Sequence, residues 1–511
     1  MFDEWGMVLA YLKRFDREAP MAEAIIQPEH FKDKVTGQQR ALGLDALRGF
    51  AILTMAFSGY IPWHVLPAWM YHAQLPPPTN VFNPAIPGIT WVDLVFPFFL
   101  FSMGAAIPLA LSRRVEKGVA HGKIILYTLE RGFLLAAFAV YIQHIRPWAM
   151  SSSPDTLTWL TALVGLLILF PMFIRLPKST STISRWGIKC AGWGAAIILL
   201  ASLRYPDGKG FSFNRFDIII MVLANTVVSG SFIWLLTRQN LLLRLGVIGI
   251  VFALRLSSTV DGSWAQDLWN YSPTLFGFSL RWLFRFEFHK YLLIVLPGTI
   301  IGDMLLTWMK KPKEEGVLQR GWEPGRYLMI AALMVAFNVF LLVGLHSRWL
   351  VTTNLVSFVM CLIGWWFVSK ATNPTERLMK NLFLWGAYWL ILGLFLEPFE
   401  GGIKKDHATF SYFFVTTGLA IFLMMAFMII IDILDKRKWL AILVYNGQNP
   451  MIAYAAIQNL VLPCLILTGI STLALRIFSA PWPGAFWGIV MTLLLGIVVS
   501  IFTRLKIFWR T

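Results

Sequence analysis

Between residues 42 and 505 the chain passes through one apolar stretch of about 20 residues after another, and this repetition leaves little choice of fold. A stretch of that length, wound as an α-helix, crosses the hydrocarbon core of a bilayer. Backbone N–H and C=O groups find no water there, so helices that satisfy their own hydrogen bonds are the natural solution. The expected spans are 42–61, 90–111, 122–144, 156–175, 187–204, 216–237, 241–258, 290–309, 327–345, 349–369, 380–398, 409–434, 441–469 and 484–505. The fold class is therefore all-α, a polytopic transmembrane bundle of about 11–14 spans.

Composition agrees. Of 511 residues 57% are hydrophobic and 14% charged, with 40 Phe and 23 Trp, more apolar surface than a water-soluble globule can hide. The net charge of +17 raises nucleic acid as a partner, but the Lys and Arg lie in short clusters between apolar runs, as topology anchors do. Arg113, Arg114, Lys117 and Lys123, then Lys310, Lys311 and Lys313, then Lys436, Arg437 and Lys438 fall on one side if both termini are cytoplasmic. The expected partner is thus the lipid bilayer, with no nucleic acid. Cys190, Cys361 and Cys464 each sit inside an apolar segment without neighbours at ligand spacing, so neither a disulfide framework nor a metal site is expected. Residues 1–40 read as a polar, partly amphipathic cytoplasmic segment without a signal peptide, and 41–511 as a single membrane domain.

Ionisable residues at membrane depth point to function by default. In LGLDALRGFAILTMAFSGY, Asp45 and Arg48 are three positions apart on one helical face. They form either an orienting ion pair or, through the planar fork of Arg48, a receptor for an anionic ligand. The loop that follows carries His64 and His72, and His72 stands between Trp69, Met70 and Tyr71 and a triple proline. An imidazole in so stiff a setting can act as general base or as an acyl-accepting nucleophile. Asp93 falls in the first turn of the second span, where it complements the helix dipole or accepts the ring N–H of a histidine. The sequence leaves that choice open.

Further on, Lys404, Lys405, Asp406 and His407 lie on the outer side before a helix with Ser411, Tyr412, Thr416 and Thr417. Hydroxyls such as Thr416 and Thr417 commonly bond their own backbone. The passage YNGQNPMIAYAAIQN brings Asn449, Pro450 and Tyr454 into a membrane helix, where polar groups either knit helices together or line a site. Asp303, in PGTIIGDML, completes the set.

The strings LDALRGFAILTM, MYHAQ, ITWVDLVFPFFLFSMGAAI, PGTIIGDML, IKKDHATFSYFFVTTG and GQNPMIAY together resemble the transmembrane acetyltransferases related to heparan-alpha-glucosaminide N-acetyltransferase, and most resemble their bacterial relatives. The resemblance implies an enzyme of the bacterial inner membrane, with a homodimer reasonable. It would take acetyl-CoA from the cytoplasm and deliver the acetyl group to an amino sugar of glucosamine type outside. By position, His72 matches the family's active-site histidine, Asp45 and Arg48 its first-helix acid and arginine, and Asp93 the acid of its DLVFP string. Ser58 stands where mammalian members carry an active-site asparagine. The expected roles are then catalytic for His72, Asp93 and Ser58, donor binding for Arg48 and Asp45, and acceptor binding for Lys404, Asn449 and Tyr454. His72 serves better as general base than as a long-lived acyl carrier exposed to water. The competing class is a secondary transporter whose Pro62, Pro97, Pro297 and Pro450 mark broken helices.

Overall fold

A computed structural model describes residues 41–177, 179–310 and 321–511. The amino-terminal segment 1–40, Lys311 and Lys313 lie outside the described residues. Helices follow the apolar stretches closely: α1 Leu42–Tyr60, α2 Trp91–Glu116, α3 His121–His144, α4 Thr156–Phe173, α5 Thr182–Ser202, α6 Ile218–Thr237 and α7 Leu241–Ser257. They continue as α8 Leu292–Met309, α9 Pro324–His346, α10 Leu350–Val368, α11 Pro374–Leu396 and α12 Phe410–Met428, and end with α13 Pro450–Leu467 and α14 Pro481–Arg504. The strands among the described residues are a two-residue hairpin, β1 Thr274–Leu275 against β2 Phe278–Ser279, in the long loop before α8.

Twelve of these helices are long and apolar enough to cross a bilayer, which makes the protein a multi-pass integral membrane protein. The two that fall short, α5 and α7, still run between the two ends of the bundle. Ile174, before α5, pairs with Trp509 near the carboxyl terminus, whereas Tyr205, after α5, donates to the carbonyl of His144 at the end of α3. Arg244 in α7 pairs with Asp303 near the end of α8, and Arg255, three turns on, reaches the loop before α12. α5 carries Arg185 and Lys189, which depress its hydropathy, while α7 is 17 residues long, just short of a full span.

The expected single span 441–469 is instead a broken element. A short helix Ala441–Gln448 ends at Asn449, whose φ of −128° and ψ of 55° are not helical, and α13 restarts at Pro450 and includes a π-turn at Ile457–Val461. Pro450 has no N–H to give, and its ring pushes the preceding residue out of the helical region.

Close crossings rest on small residues. A Cβ on Gly104, Gly298 or Gly302 would collide with backbone of the partner helix where α2 meets α8, and Gly49 and Gly447 bring α1 and Ala441–Gln448 into backbone contact. Phe101, Leu293, Ile301, Phe413, Leu419 and Met424 lie in one continuous buried core, while Val351, Leu355, Phe358, Leu362 and Trp366 of α10 present an apolar flank outward as a lipid-facing helix does.

Candidate functional site: a histidine–aspartate pair under a laced loop

The loop between α1 and α2 is held by its own polar groups. Tyr71 is buried, donates its hydroxyl to Pro62 O at 2.7 Å and accepts from Leu66 N at 2.9 Å, with Trp63 stacked on its ring. Gln74, also buried, donates from Nε2 to Ile86 O at 3.0 Å, and Asn80 donates to Leu75 O at 2.9 Å. Gly88, at a φ of +119° that favours glycine, gives its N–H to Ile403 O at 2.7 Å and so ties this loop to the one before α12.

His72 emerges from this lacing directly onto Asp93. Its Nδ1 lies 2.7 Å from Asp93 Oδ1; the His72 side chain is 32% exposed and that of Asp93 is 0% exposed. The two carboxylate oxygens divide the work. Oδ2 accepts from Thr90 N at 2.9 Å and Ala73 N at 3.2 Å, closing a capping box at the start of α2, while the Thr90 hydroxyl gives its proton to Tyr71 O at 2.6 Å. Oδ1 is left for the imidazole. An ionised carboxylate only accepts, so Nδ1 carries a proton, which in the neutral ring leaves the lone pair on Nε2. Both readings left open for Asp93 are met at once: it caps the helix and orients the ring.

Two further groups complete the cluster. Lys405 Nζ lies 3.1 Å from His72 Nδ1 and 3.4 Å from Nε2, close to both ring nitrogens together, so it acts on the ring as a charge more than as a single donor. Tyr412, buried one turn into α12, donates to the backbone carbonyl of Asp93 at 2.8 Å. The loop presenting Lys405 is itself pinned. Glu397 accepts from Arg348, and Glu400 receives Phe410 N at 2.6 Å and Ser411 N at 2.7 Å at the head of α12.

Lys404 turns away from the imidazole and lines a cleft of about 360 Å³ with Pro84, Arg255, Glu400, His407 and Phe410. His72 is not on its wall; the dipeptide Lys404–Lys405 and the loop of Pro84 connect the two. Ser58 donates to Met55 O of its own helix at 2.7 Å. Arg48 gives Nη1 to Gly447 O at 3.1 Å and Nη2 to Ser102 O at 3.2 Å and stands 3.5 Å from Asp45, so the pair ties three elements together well away from the loop. Asn449 donates to Ile507 O at 2.7 Å near the carboxyl terminus. Tyr454 donates to Asp217 Oδ2 at 2.5 Å, and Arg146 reaches both, a three-way lock between α3, α6 and α13. Of the residues singled out from the sequence, His72 and Asp93 come together, Lys404 is their neighbour, and Ser58, Asp45, Arg48, Asn449 and Tyr454 belong to other networks. Lys405 and Tyr412 were named in the sequence but given no role at a site. Nothing in a non-periodic loop distinguishes Lys405 from Lys404, and Tyr412 shows only as a polar residue early in an apolar helix.

Residues 40–305 match the family described as a domain of unknown function, DUF5009, over just over half of the chain. The chain belongs to this family. The matched segment holds both His72 and Asp93, and stops short of Lys405. No curated protein matches the chain.

Proposed function

We propose that this DUF5009 protein is a membrane-embedded acetyltransferase that moves the acetyl group of cytoplasmic acetyl-CoA to the amino group of a glucosamine-type sugar at the outer face. The observation that carries the reading is the buried carboxylate of Asp93 on Nδ1 of a partly exposed loop histidine, an arrangement that in the neutral ring leaves the lone pair on Nε2 for a substrate proton. Resemblance to the transmembrane acetyltransferases supplies the substrates.

In the reaction, the acceptor nitrogen attacks the thioester carbonyl and His72 Nε2 takes the proton that this nitrogen sheds. The carbonyl oxygen becomes anionic beside Lys405, whose ammonium is already within 3.4 Å of Nε2. As the carbonyl re-forms, the C–S bond breaks and the imidazolium returns the proton to sulfur, giving CoA thiol and the acetylated amine. Asp93 faces the imidazolium throughout and stabilises its charge. The cleft beside Lys404 suits the sugar, with apolar Phe399 and Phe410 for a ring face and Thr259, Glu400 and Lys404 for hydroxyls. The nucleotide of the donor is too polar to enter the hydrocarbon, whereas its narrow pantetheine arm can pass between helices.

The test is turnover by the purified protein: wild type should release CoA thiol from acetyl-CoA only when an amino sugar is present, and His72→Ala should abolish release while the protein stays monodisperse in detergent. Near-wild-type turnover in His72→Ala would overturn the assignment. The broken segment Ala441–Leu467 favours the transporter alternative, since interrupted helices build transport sites. Sugar counterflow in vesicles without acetyl-CoA consumption would establish it instead.

A further inference from the structure

Two arginines at the basic end of the bundle stand close together with no carboxylate in an ion pair with either among the described residues. Arg114, in the last turn of α2, lays its guanidinium 3.7 Å above the ring of Tyr127 on α3 and donates from Nη1 to Ala110 O at 3.1 Å. Arg131 shares the α3 face of Tyr127 one turn further on, and its Nε is sealed from solvent without a hydrogen-bond partner. The groups that bear on it electrostatically are Tyr127 and Arg114; no carboxylate is among them. Glu116, close to Arg114 in sequence, pairs with Lys310 at 2.5 Å, and Glu130 is exposed on the adjoining face of α3.

Depth makes this unusual. Arg131 comes ten residues after His121, the first residue of α3, which is about 15 Å along the axis at the ordinary helical rise. Two like charges in that position repel, whereas Arg146, Arg244 and Arg348 are matched by Asp217, Asp303 and Glu397. What the pair lacks is an anion with several acceptor oxygens. A phosphate ester fits two guanidinium forks, and Arg113, Lys117 and Lys123 at the adjoining turn add positive potential on the route in.

We propose that Arg114, over the ring of Tyr127, and Arg131, one turn along α3 from it, form a phosphate-ester site, and that its ligand is the phosphate portion of the acetyl donor. The choice of that ligand rests on the acetyltransferase reading; the anion site itself does not. Arg48, the sequence candidate for this task, already spends both terminal nitrogens on carbonyls. The same phosphate chemistry is offered by an anionic lipid headgroup, so the test has an arm for each.

Full-length wild type, Arg114→Gln, Arg131→Gln and the charge-keeping Arg131→Lys would be placed in nanodiscs of phosphatidylcholine, with or without phosphatidylglycerol. Calorimetry with CoA and with pantetheine, which has no phosphate, gives the first arm. Wild type should bind both. Each Gln variant should weaken CoA binding by about tenfold or more, as expected for a lost charge-assisted contact, with pantetheine unchanged and Arg131→Lys in between. The second arm reads the thermal midpoint against phosphatidylglycerol. If CoA binding is indifferent to Arg131 but the lipid-dependent rise in midpoint disappears in Arg131→Gln, the site stands with the lipid as its ligand. If wild type binds no CoA at all and the lipid effect still depends on Arg131, the site stands and the acetyltransferase reading fails. If neither CoA nor lipid responds to either Gln variant, the site is wrong, whatever the turnover measurements give.

Discussion

Replacing Asp93 by Asn separates its two jobs. The Oδ2 position accepts two donors, Thr90 N and Ala73 N, while the Oδ1 position accepts one, His72 Nδ1. An amide has a single accepting oxygen. Turning its NH2 toward the two donors would forfeit about 2 kcal/mol at roughly 1 kcal/mol per bond, so the oxygen stays at Oδ2 and the NH2 faces the ring. Nδ1 must then accept, the ring proton moves to Nε2, and the lone pair that takes the substrate proton is gone. The helix cap survives and the protein should fold. Turnover should nonetheless fall by about 10³–10⁴, the scale seen when a base is held in the wrong tautomer in a Ser-His-Asp triad. Asp93→Ala, by contrast, leaves buried donors without an acceptor and should lower the unfolding midpoint as well. The assay is CoA thiol release with excess amino sugar, beside size-exclusion profiles of both variants. Turnover of a well-folded Asp93→Asn within about threefold of wild type would refute the reasoning, because the carboxylate would then be a cap and nothing more.

Lys405→Met should cut turnover by about 10², the usual loss when one charge facing a developing oxyanion is removed, whereas Lys404→Met should raise the KM for the sugar and leave kcat nearly unchanged; steady-state kinetics of the two neighbours decides between them. Arg244→Ala should destabilise the protein by about 2–3 kcal/mol, below the usual range for a broken buried pair because Asp303 keeps a side-chain exposure of 33%, and thermal unfolding in detergent should show Asp303→Leu/Arg244→Leu recovering much of that loss.

The helices were legible because the length of an apolar run is itself the structural constraint. The expected 122–144 became His121–His144 and 241–258 became Leu241–Ser257. The failure at 441–469 was local: hydropathy averages over Asn449 and Pro450, while the backbone must obey them individually. Within the site, His72 was legible as a stiffened imidazole and Asp93 as an acid in a first turn. That the two meet depends on a loop of some twenty residues closing on itself through Tyr71, Gln74 and Asn80. Which of Lys404 and Lys405 reaches the ring was hidden for a different reason, since a loop has no period to phase its side chains. Tyr454 and Asn449 were expected either to knit helices or to line a site. Their partners, Arg146, Asp217 and Ile507, are far away in sequence, and the topology that joins them is not written in any local pattern.

The polar networks inside the bundle differ in whether anything is left over, and this is what separates the His72 cluster from the rest. In the lock of Arg146, Asp217 and Tyr454, Arg146 Nη1 is taken by Gln143, Nη2 by Asp217 and Tyr454, and Asp217 Oδ1 by Ile220 N at the start of α6. Every strong group has a partner inside the protein, and a permanently charged arginine cannot exchange a proton at neutral pH. Such a network holds helices together and has no capacity for chemistry. Around His72 the buried member, Asp93, is fully occupied, but the other member is an imidazole 32% exposed, whose second nitrogen lies 3.4 Å from the Lys405 ammonium. A structural role would be served better by burying that nitrogen, as His144 does with Nδ1 on Val140 O and Nε2 accepting Ser212 N. The contrast between two histidines in one protein, one buried and closed at both nitrogens, the other held at Nδ1 by a buried acid and partly exposed, supports the proposal that a substrate approaches His72.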